Sequence, residues 1–337
     1  MVGQMDISQA KIRGFITHSV GNKLRDEAFV LSNETAKLDE NVSSIILKNY
    51  LGGLKNSDSY RFFHESDTNL NEIRVFSNEI FNGSKNFVEA SNKIAKHLYS
   101  KSTHPSVPAG DLFIVLFSNL TIDGQEVDAL GIFKTETKED FLSVYEENGA
   151  LNVRGSLGID PRNLQKAAII PAGQDMLFAF ERGSSTAYWL DDFLKVEKLA
   201  TKKSTAAYVA RLIKETVKEI GEPQAVAGYQ DEIHRVLSVE APTVRDILDA
   251  GRPFVGDDQS INLRGSVDLA TGLTLDPDHI LEAKLVQRAA TNAFKRIPIT
   301  RGIHLVLSGK GLTGAINTEF SDDRRFVTIT IEMKETK

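Results

Sequence analysis

The chain has 337 residues, 41% of them hydrophobic and 26% charged, which is the balance of a globular protein with room for one large domain or two ordinary ones. It contains no cysteine, which excludes disulfides, thiolate metal sites and a thiol nucleophile. A net charge of −6 and a pI near 5.7 exclude a uniformly cationic surface of the kind that coats a polyanion, so any phosphate contact must come from a local patch.

The first residues, MVGQMDISQAKIRGF, lack the continuous apolar core of a secretory signal, so none is expected. Residues 12–20 and 27–32 read as short strands joined by a polar turn at Gly21-Asn22. Asp39 then caps a helix on which Val42, Ile45, Ile46 and Asn49 or Tyr50 fall at helical spacing, and Gly52-Gly53 stop it. Residues 69–81 carry Leu70, Ile73, Phe76 and Ile80 on one helical face. Asn82-Gly83 break that helix and Ser84 is expected to cap the next. There Phe87, Ser91, Ile94, Ala95 and Leu98 form a stripe at i, i+4, i+7, i+8 and i+11. Two prolines and a glycine make 104–110 a loop.

A β-hairpin follows, with strands at 111–120 and 126–135 around Asp123-Gly124 and an exit through Lys134 and Glu136. The first of these strands is apolar almost throughout, which predicts burial on both faces. Its run from Leu112 to Phe117 is the longest apolar one and far short of the ~20 residues that span a bilayer, so no membrane partner is expected. Strands at 166–170 and 176–181 flank Pro171-Ala172-Gly173. Residues 195–204 are short, charged and aperiodic, and the domain boundary is placed there, giving domains 1–196 and 197–337. Ser204 is expected to cap a helix to about Ile220, with further helices at 225–237 and 243–250 and short strands at 303–307 and 326–331. The expected fold class is α+β: an antiparallel or mixed sheet with packed helices, then a helical part that ends in short strands.

Charge is divided unevenly. Residues 197–337 hold 20 Lys+Arg and 20 Asp+Glu, so the whole −6 lies in the first part, and a polyanion is expected to meet the neutral second part or a local patch. Its densest basic stretch contains Lys198, Lys202, Lys203, Arg211, Lys214 and Lys218, and these six are the candidate DNA contacts. A helix face can track phosphates with such residues. The plain alternative is a solvated face balanced by Glu215 and Glu219. Lys295-Arg296 and Arg324-Arg325 are weaker candidates at turn-like positions.

Other motifs reduce to ordinary structure. Gly309-Lys310-Gly311-Leu312-Thr313-Gly314 matches G-x-G-x-x-G, but too little chain follows for a doubly wound sheet, so a turn is expected. Asp268 with Glu282-Ala283-Lys284 matches the D…E-x-K spacing of metal-dependent nucleases. On a helix, Glu282 and Lys284 would point to different sides. His18, His64, His97, His104 and His304 do not pair at metal-ligand spacing and read as surface or capping residues. No catalytic constellation, metal or cofactor is expected.

Several segments in order carry a family resemblance: ITHSVGNKLRDEAFVLS, YRFFHESDTNLNEI, IFNGSKNFVEASNKIAKHLYSKSTHPSVPAGDLFIVLF, VDALGIFKTETKEDFLSV, GIDPRNLQKAAII and AYWLDDFLKV, with FKRIPITRGIHLVLSGKG and FVTITIE near the end. In this order and length the chain resembles the bacterial 37-kDa nucleoid-associated protein family. That resemblance implies a cytosolic protein found with the chromosome in the nucleoid, which associates with DNA and has no known catalytic step. It carries no residue-level DNA contacts with it. The expected function is therefore non-enzymatic DNA binding through largely sequence-independent phosphate contacts, with a homodimer doubling a modest patch. The alternatives are a metal-dependent nuclease in DNA defence or repair and an adaptor for chromosome-associated proteins.

Overall fold

The structure is a computed structural model that describes residues 5–83, 85–183, 188–220, 223–291, 293–294, 296–300, 303–306, 313–321 and 327–333. The chain divides into two compact units, Met1–Leu199 and Ala200–Lys337.

The first unit contains, in chain order, β1 (Met5–Asp6), β2 (Lys11–Val20), β3 (Phe29–Val30), α1 (Glu40–Ile45), β4 (Asp58–Phe62), α2 (Glu72–Phe81), α3 (Phe87–Lys101), β5 (Gly110–Ile122), β6 (Gln125–Thr135), β7 (Glu139–Glu147), β8 (Ala150–Gly158), β9 (Lys166–Pro171), β10 (Met176–Glu181) and β11 (Val196–Lys198). One sheet runs β11-β4-β10-β9-β6-β5-β2-β3, with β1 also paired to β5, and all its pairings are antiparallel. The β5–β6 turn is Asp123-Gly124. Both residues have positive φ (49° and 83°), the mirror-image turn whose twist matches the strands. Alternation along β5 sends Leu112 and Ile114 into one core and Val115 and Phe117 into another, so the strand is buried on both faces. The first core is closed by Ile73 of α2 and by Ile94, Ala95 and Leu98 of α3. The second is closed by Ile46, Tyr50 and Leu51, on a π-helical turn (Ile46–Leu51) that continues α1. Asp39 caps α1 by accepting from the Val42 N–H.

Ser84, expected to cap α3, lies outside the described residues. Asn86 occupies the cap and accepts from Glu89 N at 2.7 Å. The segment expected to be aperiodic is not so throughout. Residues 196–198 are the edge strand β11, paired with β4, so the sheet extends two residues beyond the expected boundary. The β7–β8 hairpin was also not anticipated. It forms a sheet of its own, turning at Asn148-Gly149.

The second unit contains α4 (Lys202–Ile220), α5 (Pro223–Val236), α6 (Val244–Val255), α7 (Asp257–Thr271) and α8 (Ala283–Ala290). The short strands β12 (Arg296–Thr300), β13 (Ile303–Val306), β14 (Thr313–Phe320) and β15 (Val327–Met333) form two antiparallel pairs. The cap of α4 is Thr201 rather than Ser204. The Ser204 N–H donates to Thr201 Oγ1 at 3.1 Å and the Thr201 N–H donates to Ser204 Oγ at 2.8 Å. From there α4 buries Tyr208, Val209, Leu212, Ile213 and Val217 against Val226, Tyr229 and Ile233 of α5, Ile247 of α6 and Val286 of α8. The Tyr208 hydroxyl donates to Asp268 of α7 at 2.6 Å. Burying one long face in this way fixes which residues of α4 remain outside.

Candidate nucleic-acid interface

The outward face of α4 follows from its buried one. With Tyr208, Leu212, Ile213 and Val217 inside, the 3.6-residue period leaves Lys203, Ala207, Arg211, Lys214 and Lys218 exposed along the opposite side. Arg211, Lys214 and Lys218 border a groove of about 510 Å³ whose other lining residues are Ala210, Glu215, Ala289 and Ala293. The small residues matter because three alanines leave the groove open where longer side chains would fill it. Ala289 and Ala293, four residues apart, are the sequence signal for this opening, which the pattern of charge alone does not reveal.

The candidate cations are not equivalent. Lys218 is held by Glu215, its Nζ lying 2.7 and 2.8 Å from the two carboxylate oxygens. Among the described residues, no carboxylate pairs with Arg211 or Lys214. Lys202 pairs with Glu282 at 3.2 Å, tying the start of α4 to the start of α8. Lys203 is exposed on the same face. Lys198 belongs to β11 of the first unit, where it pairs with Asp58 at 2.8 Å. The structure therefore brings Arg211, Lys214 and Lys218 to one groove and leaves Lys198 on a sheet edge in the other unit. Lys295 and Arg324-Arg325 lie outside the described residues, as does most of the glycine-rich segment 309–314.

The carboxylates of the nuclease-like spacing have separate engagements. Asp268 accepts from Tyr208, Glu282 pairs with Lys202, and α8 begins only at Ala283. The histidines divide. His64 and His104 accept turn contacts from Ser66 and Ser106 through Nδ1, as capping residues do. His18 is not a surface residue: it is buried, with Nδ1 accepting from Ser32 N at 3.2 Å and Nε2 facing Ser91 Oγ at 3.1 Å. Ser91 spends its own proton on the Val88 carbonyl, so the bond network assigns the neutral Nε2–H tautomer. Burial lowers the His18 pKa to about 4.

The exit from the central hairpin holds a buried ionic cluster. Lys134 and Lys166 face each other across β6 and β9 and both are fully buried. Lys134 Nζ donates to Pro108 O at 2.6 Å and Glu136 Oε1 at 3.1 Å, and lies 2.9 Å from the Tyr188 hydroxyl. That hydroxyl donates to Glu136 at 2.9 Å. Lys166 Nζ lies 3.5 Å from Glu136 and 3.6 Å from Glu181, and donates to the Arg182 carbonyl. Burial lowers the Lys134 pKa, an effect opposed by Glu136, and burial with Glu136 pushes the Tyr188 phenol up. Two lysines meet two glutamates here, and each ammonium has backbone or hydroxyl partners, so the cluster is satisfied from within.

No helix of the described residues is long and apolar enough to cross a membrane. No curated protein sequence matches the chain. The family model described as nucleoid-associated protein YejK (NA37) matches residues 16–237, from β2 past the end of α5 and including all of α4. Covering well over half of the sequence, this match shows that the chain belongs to the NA37 family of nucleoid-associated proteins.

Proposed function

We propose that this nucleoid-associated protein contacts DNA directly, without cleaving it, through the groove-bordering face of α4. The observation that carries the reading is the convergence of Arg211, Lys214 and Lys218 on one open groove that Ala210, Ala289, Ala293 and Glu215 also line. Phosphate oxygens accept from such side chains whatever the base sequence, so the contact positions the duplex with little readout of bases. An overall charge of −6 does not oppose this, because at physiological salt a charge more than about 8 Å away is largely screened and the local stripe dominates. Lys214 and Arg211 supply the unneutralised charge. Lys218 must exchange or share Glu215 to join them. A homodimer would present the stripe twice and convert a modest patch into a firm hold. Lys202 and Lys203 extend the same helix toward its start, and Lys202, like Lys218, must exchange or share its carboxylate, Glu282, to reach a longer duplex.

The test is binding of fluorescent duplexes of unrelated sequence by the purified full chain. The reading expects similar affinities for all of them. The triple variant Arg211→Ala, Lys214→Ala, Lys218→Ala should bind each at least tenfold more weakly. Equal binding by the variant would remove this face from the DNA interface.

A further inference from the structure

The β7–β8 hairpin has two unlike faces. On one, the rings cover their own neighbours: Phe141 packs against Gly158 and Arg154 stacks over Tyr145, 4.9 Å from the ring centre. On the other, the antiparallel register aligns Leu142, Val144, Leu151, Val153 and Leu157. These five are between 64 and 78% exposed. Aliphatic residues aligned on one face of an isolated hairpin, and this exposed, mark an interaction surface and not ordinary scatter.

The charges around that face select its occupant. Asp140 shares it at the base of the hairpin and Glu146 at the tip, six residues or about 20 Å apart. Glu139, Glu147 and the one base of the hairpin, Arg154, all belong to the opposite face, so Asp140 and Glu146 are the charges that the aliphatic face itself presents. A second copy laid face to face would set carboxylates against carboxylates. Duplex DNA would meet the same repulsion and find no cation. The geometry points to a protein partner: a basic amphipathic segment that lays aliphatic side chains on Leu142, Val144 and Val153 and sets a Lys or Arg at each end against Asp140 and Glu146. The first unit carries the whole negative charge of the chain, which steers such a segment toward it. This surface lies in the first unit, so it does not depend on DNA contact by α4.

The experiment uses the full chain without DNA and two short peptides with the same alternating Leu/Val side, one ended by lysines and the other by glutamates. Fluorescence polarisation should detect the lysine-ended peptide and not its acidic analogue. The double variant Leu142→Ser, Val153→Ser keeps every charge and should weaken binding at least tenfold. Asp140→Asn, Glu146→Gln keeps every aliphatic contact and should do likewise. Neither change touches a core residue, so the thermal melt should stay in place. The proposal is overturned if neither peptide binds, or if the serine variant binds as the parent does, since attraction would then be charge alone. It is also overturned if sedimentation shows a dimer of the parent that the serine variant loses, because a second copy would then be the occupant.

Discussion

Lysines serve opposite ends in the two units. In the first, Lys134 and Lys166 are fully buried and spend their charge on Glu136, Glu181, Tyr188 and backbone carbonyls. In the second, Lys214 and Arg211 stand outside on α4, and no described carboxylate pairs with them. A buried ammonium left without partners would cost several kcal/mol, so the first pair is bound to the fold and cannot be offered to a ligand. The exposed residues are little used by the fold and remain free for a polyanion. Counting basic residues along the sequence treats both sets alike, whereas burial separates them.

The contrast predicts that damage to the first set appears as instability and damage to the second as lost binding. The largest effect belongs to Glu136→Gln. Removing this carboxylate strips Lys134 and Lys166 of their shared partner and should destabilise the first unit by about 3–5 kcal/mol. The single tryptophan, Trp189, is buried in that unit, so urea unfolding followed by its fluorescence reads this unit directly. The second unit should keep its helical signal. A Glu136→Gln midpoint equal to that of the parent would show that the cluster does not hold the sheet end.

The next effect is a pH dependence confined to the first unit. His18 has a folded pKa of about 4, below its ordinary 6.5, so the unfolded chain takes up the proton first. Keeping it neutral therefore stabilises the fold fully above pH 6.5, and this contribution is lost as the pH falls toward 4. The proton would displace the Ser32 N–H from Nδ1. The loss amounts to about 3 kcal/mol over that window. His18→Gln should flatten the slope between pH 6.5 and 4.5, and a parallel slope in the variant would assign the effect to other groups. A smaller gain should come from Glu215→Gln, which releases Lys218 from its ion pair. Duplex affinity should rise by a few fold at low salt, in line with about 1 kcal/mol for an exposed pair.

Much of this frame was legible from residue order. Asp123-Gly124 between two apolar runs specified the hairpin, and the spacing of Phe87, Ser91, Ile94 and Leu98 specified α3. The face of α4 was legible for the same reason, because its apolar residues recur at helical period. What escaped lacked a periodic signal or depended on pairing. The edge strand β11 is three residues long and mostly polar. The helix α7 buries only Ser260 and Val267, so it has almost no apolar face to read. The β7–β8 hairpin did have a signal, Asn148-Gly149 between alternating runs, but its apolar face turns outward and not to the core. Lys134 and Lys166 looked like polar strand ends. Only the β6–β9 register sets them opposite each other and only the surrounding side chains bury them. The groove at α4 needed α8 beside it, which no local pattern supplies.

The central claim is that charge left outside on α4 holds DNA while charge buried at the sheet end does not. The most direct test is the slope of log affinity against log salt for one duplex, measured for the parent and for the Arg211→Ala, Lys214→Ala, Lys218→Ala variant. Each phosphate contact contributes about 0.9 to that slope, so the variant should be shallower by about 2–3. An unchanged slope and affinity would contradict the account.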